Sequence, residues 1–252
     1  MRIDTPSPDQ IPQLLRLWKD AFGDWNGFWE QFLQTAFSPS RCRCMLDGSQ
    51  IAASLCWFNT ECAGQKHAYL YAVVTNPAYR GQGLCRRLME NTHVHLSGLG
   101  YAGALLVPAN EGLRDMYRKM NYRDCTCITV LSCEAGCAPV ELRAIGPEEY
   151  ARLRHRFLPE GGVIQEEENM VFLAQQAEFF TGNDFLLAAY AEDAILHAVE
   201  LLGNDQAAPG ILAALRCIRG TFRIPGKEQP FAMFHPLRED AVIPQYFGFA
   251  FD

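Results

Sequence analysis

The stretch NPAYRGQGLCRRLM, residues 76–89, decides how the first half of this sequence folds. It follows the apolar run KHAYLYAVVT (66–75), which predicts a strand, and it opens a segment whose apolar spacing predicts a helix. Between the two, Gly81 and Gly83 let the backbone approach a ligand closely and point several N–H groups outward. Three arginines flank these glycines: Arg80, Arg86 and Arg87. Because a helix start also carries partial positive charge, the pattern predicts a cradle for a pyrophosphate.

The simplest alternative is a glycine turn with a purely structural role, since short glycine patterns are common. Two nucleotide-binding alternatives are set aside. The chain has no GxGxxG with an acidic residue at the ribose-binding spacing, and it has no GxxxxGKS or GxxxxGKT.

The composition is that of a globular protein, with 252 residues of which 49% are hydrophobic and 20% charged. This length suits one large domain or two small ones. A net charge of −7 argues against a nucleic-acid partner, which would need a basic face. No apolar run approaches the ~20 residues of a membrane span, and no signal-peptide h-region is visible. We therefore expect a cytoplasmic protein that has no membrane partner.

Ten cysteines raise the question of a metal site or a disulfide framework. Two of them alternating along a strand share one face, which is compatible with ordinary packing. No CxxC knuckle occurs, and His93 and His95 lie two apart on a predicted helix, where they do not share a face. We expect reduced, mostly buried thiols and no metal.

Strand and helix patterns alternate through the first half. Ser7, Pro8 and Gln10 form a capping pattern for an amphipathic helix. An Asp47-Gly48 turn predicts a hairpin, and the glycine loop then joins a strand to a helix. A strand, a short helix and a last strand follow, in AGALLVP, NEGLRDMYRKM and YRDCTCITVLS. This order predicts an α/β (α+β) fold with a mixed sheet flanked by helices.

The second half repeats the element order of the first. The segment SCEAGCAP, around residues 132–139, resembles a linker, so we expect two tandem related domains at 1–134 and 140–252. VELRAIGPEEYARLRHRFL repeats the first helix, and FLLAAYAEDAILHAVELLG repeats the hairpin with Glu192-Asp193 at its turn. PQYFGFAFD predicts a closing strand. A coincidental order of strands and helices is the alternative.

These residues resemble a known family, the GNAT superfamily of acyl-CoA-dependent N-acyltransferases. Its signature Q/R-x-x-G-x-G/A, after the fourth strand, stands here as Arg80-x-x-Gly83-x-Cys85, with cysteine as the last small residue. A second family element, N-x-x-x-x-x-x-Y-x-K-x-G-F, is similar to NEGLRDMYRKMNY, with Asn121 in place of glycine. Asparagine tolerates the left-handed conformation that this position often needs. The resemblance covers residues 1–131, and the second half is a degenerate relative.

The resemblance implies the GNAT acyltransferase fold, acetyl-CoA as co-substrate and a set of site residues. The diphosphate would bind the loop amides, and the pantetheine arm would run beside the strand where the sheet opens. The implied coenzyme A-binding residues are Val73, Val74, Thr75, Arg80, Gly81, Gln82, Gly83, Leu84, Cys85, Arg86 and Asn110. Tyr117 would protonate the departing thiolate. A backbone N–H near Val73 would meet the oxyanion during direct attack by a primary amine in a ternary complex.

The residues leave the general base and the acceptor open. His67 lies where some family members carry a catalytic glutamate, and its intrinsic pKa suits proton transfer. Tyr71 and the C-terminal carboxylate of Asp252 are weaker candidates. The acceptor would be a small-molecule or peptide amine, an acyl chain longer than acetyl fits the sequence, and a homodimer is left open. The alternative function is a non-catalytic acyl-CoA-binding or sensing protein.

The second half has no equivalent of the cradle. At the matching position it reads GNDQAAPGILAALR, where no arginine precedes a glycine pair and Asp205 would repel a phosphate. We expect that it binds no coenzyme, and that it closes one side of the amine cleft or only stabilises the pair. The run of three glutamates at 166–168 is interpreted as a solvated charge cluster.

Overall fold

A computed structural model of the chain describes residues 1–165 and 168–250. The chain divides into two compact units. The first consists of residues 1–106, 112–123 and 234–242, and the second contains residues 107–111, 124–233 and those from 243 onward. Each unit is built around a seven-stranded sheet.

The first unit contains seven strands and four helices, numbered in chain order. The strands are β1 (Arg2–Asp4), β2 (Cys42–Asp47), β3 (Gln50–Cys62), β4 (Gln65–Thr75), β5 (Gly103–Leu106), β6 (Arg123–Asp124) and β14 (Met233–Pro236). The helices are α1 (Ile11–Phe22), α2 (Phe28–Thr35), α3 (Leu84–Gly98) and α4 (Glu111–Arg118). The strand order is β1-β2-β3-β4-β5-β14-β6, with antiparallel pairing from β1 to β4 and parallel pairing of β4 with β5.

The start of α1 follows the predicted capping pattern. A short 3-10 turn over Pro8–Gln10 precedes the helix, and the Ser7 N–H donates to Gln10 Oε1 at 2.9 Å. The helix buries Leu14, Leu17 and Trp18 against the sheet. Helix α2 was not predicted from the sequence. Its Phe28, Trp29 and Phe32 join Trp18 in a buried aromatic cluster, which fixes both helices on one face.

The second unit has a sheet with an equivalent spatial order of strands. Its strands are β7 (Cys127–Glu134), β8 (Arg143–Ile145), β9 (Glu178–Thr181), β10 (Phe185–Glu192), β11 (Ile195–Gly203), β12 (Arg219–Pro225) and β13 (Gln229–Pro230). Its helices are α5 (Pro147–Phe157), α6 (Glu168–Leu173) and α7 (Ala208–Ala214). The order β8-β9-β10-β11-β12-β7-β13 matches the first sheet strand for strand, again with one parallel pair, β11 with β12. The predicted α/β fold with two related mixed sheets is therefore confirmed.

The strands next to the parallel pair differ from the expected boundaries. The sequence pattern predicts a last strand of the first domain at residues 122–132 and an end of that domain at 134, but β7 pairs with β12 in the second sheet. Conversely, β14 lies beside β5 in the first sheet. Each sheet thus takes its sixth strand from the part of the chain that the sequence pattern assigned to the other domain. Pairing between distant strands leaves no local signal, because it depends on partners about 100 residues apart.

Two further expectations need correction. The hairpin β10–β11 corresponds to β3–β4, not to β2–β3, since both turns place two successive residues at positive φ: Ala63 and Gly64 in one, Asp193 and Ala194 in the other. The predicted closing strand is not a strand over its described residues. It forms a single bridge, Gly162 with Tyr246.

A buried ion pair organises the second unit. Glu200 on β11 and Arg154 on α5 are fully buried, and Arg154 Nε donates to a Glu200 carboxylate oxygen at 2.8 Å. The hydroxyls of Tyr150 and Tyr246 donate to the same carboxylate at 2.9 Å each. All four side chains are thereby engaged within the core, where an unpaired charge would be strongly destabilising.

Across residues 1–165 and 168–250, no helix has the length and apolar character needed to cross a bilayer. The same residues contain no group of three or more His, Cys, Asp or Glu side chains arranged to hold a metal ion. All ten cysteines are free thiols.

Candidate functional site

The first sheet opens beside the C-terminal half of β4. Strands β4 and β5 pair only from His67 with Gly103 to Tyr69 with Leu105. Beyond Tyr69, β4 continues to Thr75 without a ladder partner on that side. Backbone N–H and C=O groups facing the gap are therefore available to a ligand, in the way that a sheet edge pairs with an added strand.

A β-bulge lies in this open part of β4. Ser54 pairs with Val74, whereas Cys56 pairs with Tyr71, so Leu55 faces two residues. One of these, Ala72, has φ +51°, a left-handed conformation that costs an alanine roughly 1 kcal/mol. Bulges re-aim the backbone of the strand that contains them. The bulge therefore changes the direction of the peptide groups around Val73 at the opening of the sheet.

The glycine loop follows directly. Asn76 caps a short 3-10 turn over Pro77–Tyr79, its side-chain oxygen accepting from the Ala78 N–H at 3.0 Å. Gly81 and Gly83 then adopt φ of +77° and +70°. A β-carbon on either glycine would meet no atom within 4 Å. Glycine is therefore needed here for its backbone conformation and not for lack of space, and the outer side of the loop is open.

Helix α3 begins at the end of this loop with Gly83 as its N-cap. The Arg87 N–H donates to Gly83 O at 3.2 Å, so the amides of the preceding turn lie before the first intrahelical bond. Arg86 donates to the Lys119 carbonyl at 3.0 Å, and Arg80 donates to the Thr75 carbonyl at 3.3 Å. Backbone donors and tethered cations thus converge where the sequence predicted a phosphate cradle.

The open part of β4, the glycine loop and the start of α3 line one cavity of about 550 Å³. Ten of the predicted site residues line it: Val73, Val74, Thr75, Arg80, Gly81, Gly83, Leu84, Cys85, Arg86 and Tyr117. The remaining lining residues were not predicted and come from α1, from the loop and from the α4 region: Ala21, Phe22, Tyr79, Leu113, Met116, Lys119 and Met120. Leu113, Met116, Tyr117 and Met120 have the i, i+3, i+4 and i+7 spacing of one helix face, which the sequence could have revealed. The sequence does not indicate which element this face packs against.

Tyr117 lies in the wall of this cavity and is 6% exposed. Burial, with a smaller contribution from Cys85, raises the pKa of its hydroxyl above the ordinary value of 10. The hydroxyl makes no hydrogen bond within the described residues, so it is free to donate to a ligand atom. Its ring packs edge-on against Tyr122, with centroids 5.7 Å apart.

Tyr122 is positioned by contacts with two histidines. Its hydroxyl lies 2.7 Å from His93 Nε2, and the His93 ring stacks on His235 of β14 at 4.3 Å. Asn121 directly precedes Tyr122. Its φ of +65° is the left-handed conformation that the sequence predicted for this position. No sequence pattern indicated the contact between His93 and His235, because β14 reaches this sheet from more than 100 residues away.

The structure does not support His67 as the general base. His67 is fully buried, is not among the residues lining the cavity, and packs against Phe234 with ring centroids 5.2 Å apart. Neither ring nitrogen has a hydrogen-bond partner in the described chain. Burial, assisted by Arg238, lowers its pKa to about 4. A histidine without access to the cavity cannot exchange a proton with a substrate there.

Three other predicted residues stand apart from the cavity wall. Gln82 is exposed at the tip of the glycine loop. Asn110 is exposed in the segment 107–111, which clusters with the second unit. Tyr71 is half-buried on β4, directly before the bulge at Ala72. Asp252, like Glu166 and Glu167, lies outside the described residues.

The segment of the second unit that corresponds to the glycine loop begins with the same kind of capped 3-10 turn, but no glycine loop follows that turn. Asn204 caps a 3-10 turn over Asp205–Ala207, its side-chain oxygen accepting from the Gln206 N–H at 3.0 Å, as Asn76 does in the first unit. That turn runs straight into α7 at Ala208. No residues remain between this turn and α7 to form a loop like that of the first unit.

Comparisons with known proteins agree with this geometry. Residues 2–125 match the family described as Acetyltransferase (GNAT) domain. Over 94% of this chain, the fold is similar to crystal structures of GCN5-related N-acetyltransferases from Kribbella flavida (18% identity, TM-score 0.71, 72% of that chain) and Anabaena variabilis (14%, 0.73, 73%). It is also similar to Eis1 from Mycobacterium abscessus (12% identity, TM-score 0.72, 94% of this chain and 74% of that one). No curated protein matches the chain in sequence.

The opening between β4 and β5, the bulge of β4 and the glycine loop before α3 all lie within the residues that match this family. Residues 2–125 thus match the GNAT acetyltransferase domain that the sequence predicted.

Proposed function

We propose that this protein is an N-acetyltransferase that moves an acetyl group from acetyl-CoA to a primary amine. The observation that carries this proposal is the 550 Å³ cavity, which joins the open edge of β4, the glycine loop and Tyr117 in one space. Catalysis by direct attack requires only that both substrates be held together, since positioning removes much of the entropic barrier.

The coenzyme would be held by the loop and by β4. Its diphosphate fits the outward N–H groups between Gly81 and Arg86, beside the guanidinium groups of Arg80 and Arg86. Its pantetheine amides would pair with the edge of β4 near Val73 and Val74 on the side where β5 no longer pairs. The open space around Gly81 and Gly83 supports this placement, because nothing would separate a phosphate from the loop backbone.

The bulge and Tyr117 would perform the two electrostatic tasks of the reaction. A backbone N–H near Val73, turned by the bulge, would donate to the carbonyl oxygen as it becomes an oxyanion. Tyr117 stays protonated at neutral pH because burial raises its pKa, so its hydroxyl can donate to the sulfur as the C–S bond breaks. The amine must lose a proton before attack, and with His67 excluded we propose that this proton leaves through water.

The second unit would serve a non-catalytic role. Its capping turn leads directly into a seven-residue helix, and it has no glycine loop to hold a diphosphate. We therefore propose one coenzyme site per chain.

The test is amine-dependent release of free thiol from acetyl-CoA. Tyr117→Phe should lower kcat by about 100-fold with little change in the affinity for acetyl-CoA, since a general acid typically contributes 10²–10⁴. The matched control is Tyr79→Phe in the same cavity, because the Tyr79 hydroxyl already donates to Asp47 at 3.2 Å. Tyr79→Phe should retain most of the activity.

Two outcomes would contradict the proposal. Tight binding of acetyl-CoA with no release across a panel of amines would favour the non-catalytic sensor instead. Equal loss of turnover in Tyr117→Phe and Tyr79→Phe would remove Tyr117 from the reaction.

A further inference from the structure

Two exposed aromatic side chains lie at and just after the end of α1, and one of them lines the cavity. Phe22, at the end of α1, lines the cavity and is 41% exposed, and Trp25, three residues later, is 45% exposed. Large aromatic rings left this open at a ligand cavity are candidates for substrate contact, since they bury much area and lose little conformational freedom on binding.

The loop that carries Trp25 is tied down at several points. Trp29 Nε1 donates to the Gly23 carbonyl at 2.8 Å, and Lys19 contacts both Asp24 (2.6 Å) and Glu30 (2.5 Å). The Trp25 ring itself packs on Phe28, with centroids 4.6 Å apart and planes 33° from parallel. One side of the indole is therefore supported while the ring remains nearly half exposed.

Both rings belong to one packed aromatic cluster that reaches β4. Phe22 packs on Trp29 at 5.5 Å, and Trp25 is joined to Trp29 through Phe28. Trp29 lies 6.1 Å from Tyr71, which precedes the Ala72 bulge by one residue. Trp29 is buried, so Phe22 and Trp25 are the exposed members of this cluster that a ligand can contact.

The charged side chains that line the cavity are all cationic. Arg80, Arg86 and Lys119 lie in the part of the lining that belongs to the glycine loop and the end of α4. No Asp or Glu occurs among the described lining residues. Asp24 and Glu30, the carboxylates next to Trp25 and Trp29 in sequence, are both paired with Lys19, and Asp20 is exposed two residues before Phe22. A substrate ammonium would therefore be recognised by ring faces, and its carbon skeleton by apolar contact.

We propose that the acceptor is a primary amine carrying an aromatic ring, which packs against Phe22 and Trp25 while its amino group lies near the bulge of β4. This inference rests on the proposed N-acetyltransferase activity and narrows its substrate class. A polyamine or a polar amino acid would leave the two exposed rings without a partner and would find no carboxylate in the cavity wall.

The experiment measures binding of two probes, 2-phenylethylamine and 1,4-diaminobutane, to the full chain saturated with coenzyme A, by calorimetry. 2-Phenylethylamine should bind at least about tenfold more tightly. Trp25→Ala and Phe22→Ala should each weaken it by about fivefold, the scale of one lost aromatic contact, and Trp25→Ala, outside the cavity lining, should do so without changing the coenzyme affinity. Trp25→Leu keeps apolar bulk and should weaken it by a smaller factor. The control is Val94→Ala, which removes a 75% exposed apolar side chain elsewhere on the same unit and should change nothing.

Equal or tighter binding of 1,4-diaminobutane would overturn the inference, as would unchanged 2-phenylethylamine affinity in both alanine variants. Thiol release with polar amines alone would also overturn it, while leaving the N-acetyltransferase proposal intact. Failure of the chain to bind coenzyme A at all would refute both.

Discussion

The ring of Phe234 packs against Gly103 so closely that a β-carbon at position 103 would overlap it. Gly103 opens β5, and Phe234 belongs to β14, the strand that joins the first sheet from the far end of the chain. The same ring contacts His67 on β4. One aromatic side chain thereby fixes three neighbouring strands just before the sheet splits.

Gly103→Ala should destabilise the protein by ~1–3 kcal/mol, because the extra methyl group has no room in a packed core. Gly98→Ala is the matched control: its β-carbon would meet nothing within 4 Å, and alanine in a helix gains about 0.5–1 kcal/mol over glycine. The denaturant midpoints of the two variants, compared with that of the wild type, test these two expectations. Pairing Gly103→Ala with Phe234→Leu should restore part of the loss. An additive double mutant would mean that the two side chains do not meet.

Gly81→Ala and Gly83→Ala should weaken coenzyme A binding by about tenfold each, roughly 1.4 kcal/mol, since alanine disfavours the left-handed backbone that directs the loop amides outward. Gly64→Ala, in the β3–β4 turn, has the same φ of +77° with nothing nearby, so it imposes the same strain away from the cavity. It should lower the melting temperature and leave coenzyme affinity unchanged. A similar affinity loss in all three variants would point to general destabilisation.

His67 should make the protein sensitive to acid. Its pKa is about 4 in the folded chain against 6.5 for the free group, so the unfolded chain binds a proton more readily between these values. Stability should therefore fall as the pH drops from 6.5 to 4, by roughly 3 kcal/mol from this residue at 1.36 kcal/mol per pKa unit. His67→Leu should flatten that part of the curve. Parallel curves for wild type and His67→Leu would contradict the burial of an uncharged imidazole.

Ionisation of the Tyr117 hydroxyl should not lower the rate of turnover at alkaline pH. Burial raises its pKa above 10, so the hydroxyl keeps its proton while the acceptor amine loses one, and the rate should rise to a plateau that persists to pH 10. The kcat profile over pH 6–10 checks this. Tyr117→Phe should lower the plateau without altering its shape. A fall in the wild-type rate before pH 10 that disappears in Tyr117→Phe would show that the hydroxyl ionises within this range.

A fragment of residues 1–134, the predicted first domain, should not fold cooperatively. It lacks β14, so β5 would lose its neighbour, and it retains β7, whose partners lie in the second sheet. Residues 1–123 joined through a short glycine-serine linker to residues 230–242 should recover a sharp thermal transition and bind coenzyme A. Cooperative unfolding of 1–134 alone would show that β14 is dispensable for the first sheet.

The local parts of the site could be predicted from the sequence. A strand, a loop with two glycines and a helix are encoded within about 25 residues, because φ preferences, capping and apolar periodicity act between neighbours. The left-handed Asn121 and the Ser7–Gln10 capping pattern were predictable for the same reason. The bulge at Ala72 had no such signal, since alanine is a poor residue for positive φ and only the pairing of β4 with β3 imposes it there.

By itself, then, the sequence determined the elements, their order in two related halves and the phosphate-type loop. Tertiary structure alone decided that β7 and β14 pair with distant partners, that His67 is buried without contact to the cavity, and that Phe22 lines the space containing Tyr117. Each of these depends on which surfaces lose water when segments 50 to 170 residues apart meet, and no pattern within a single segment records that choice.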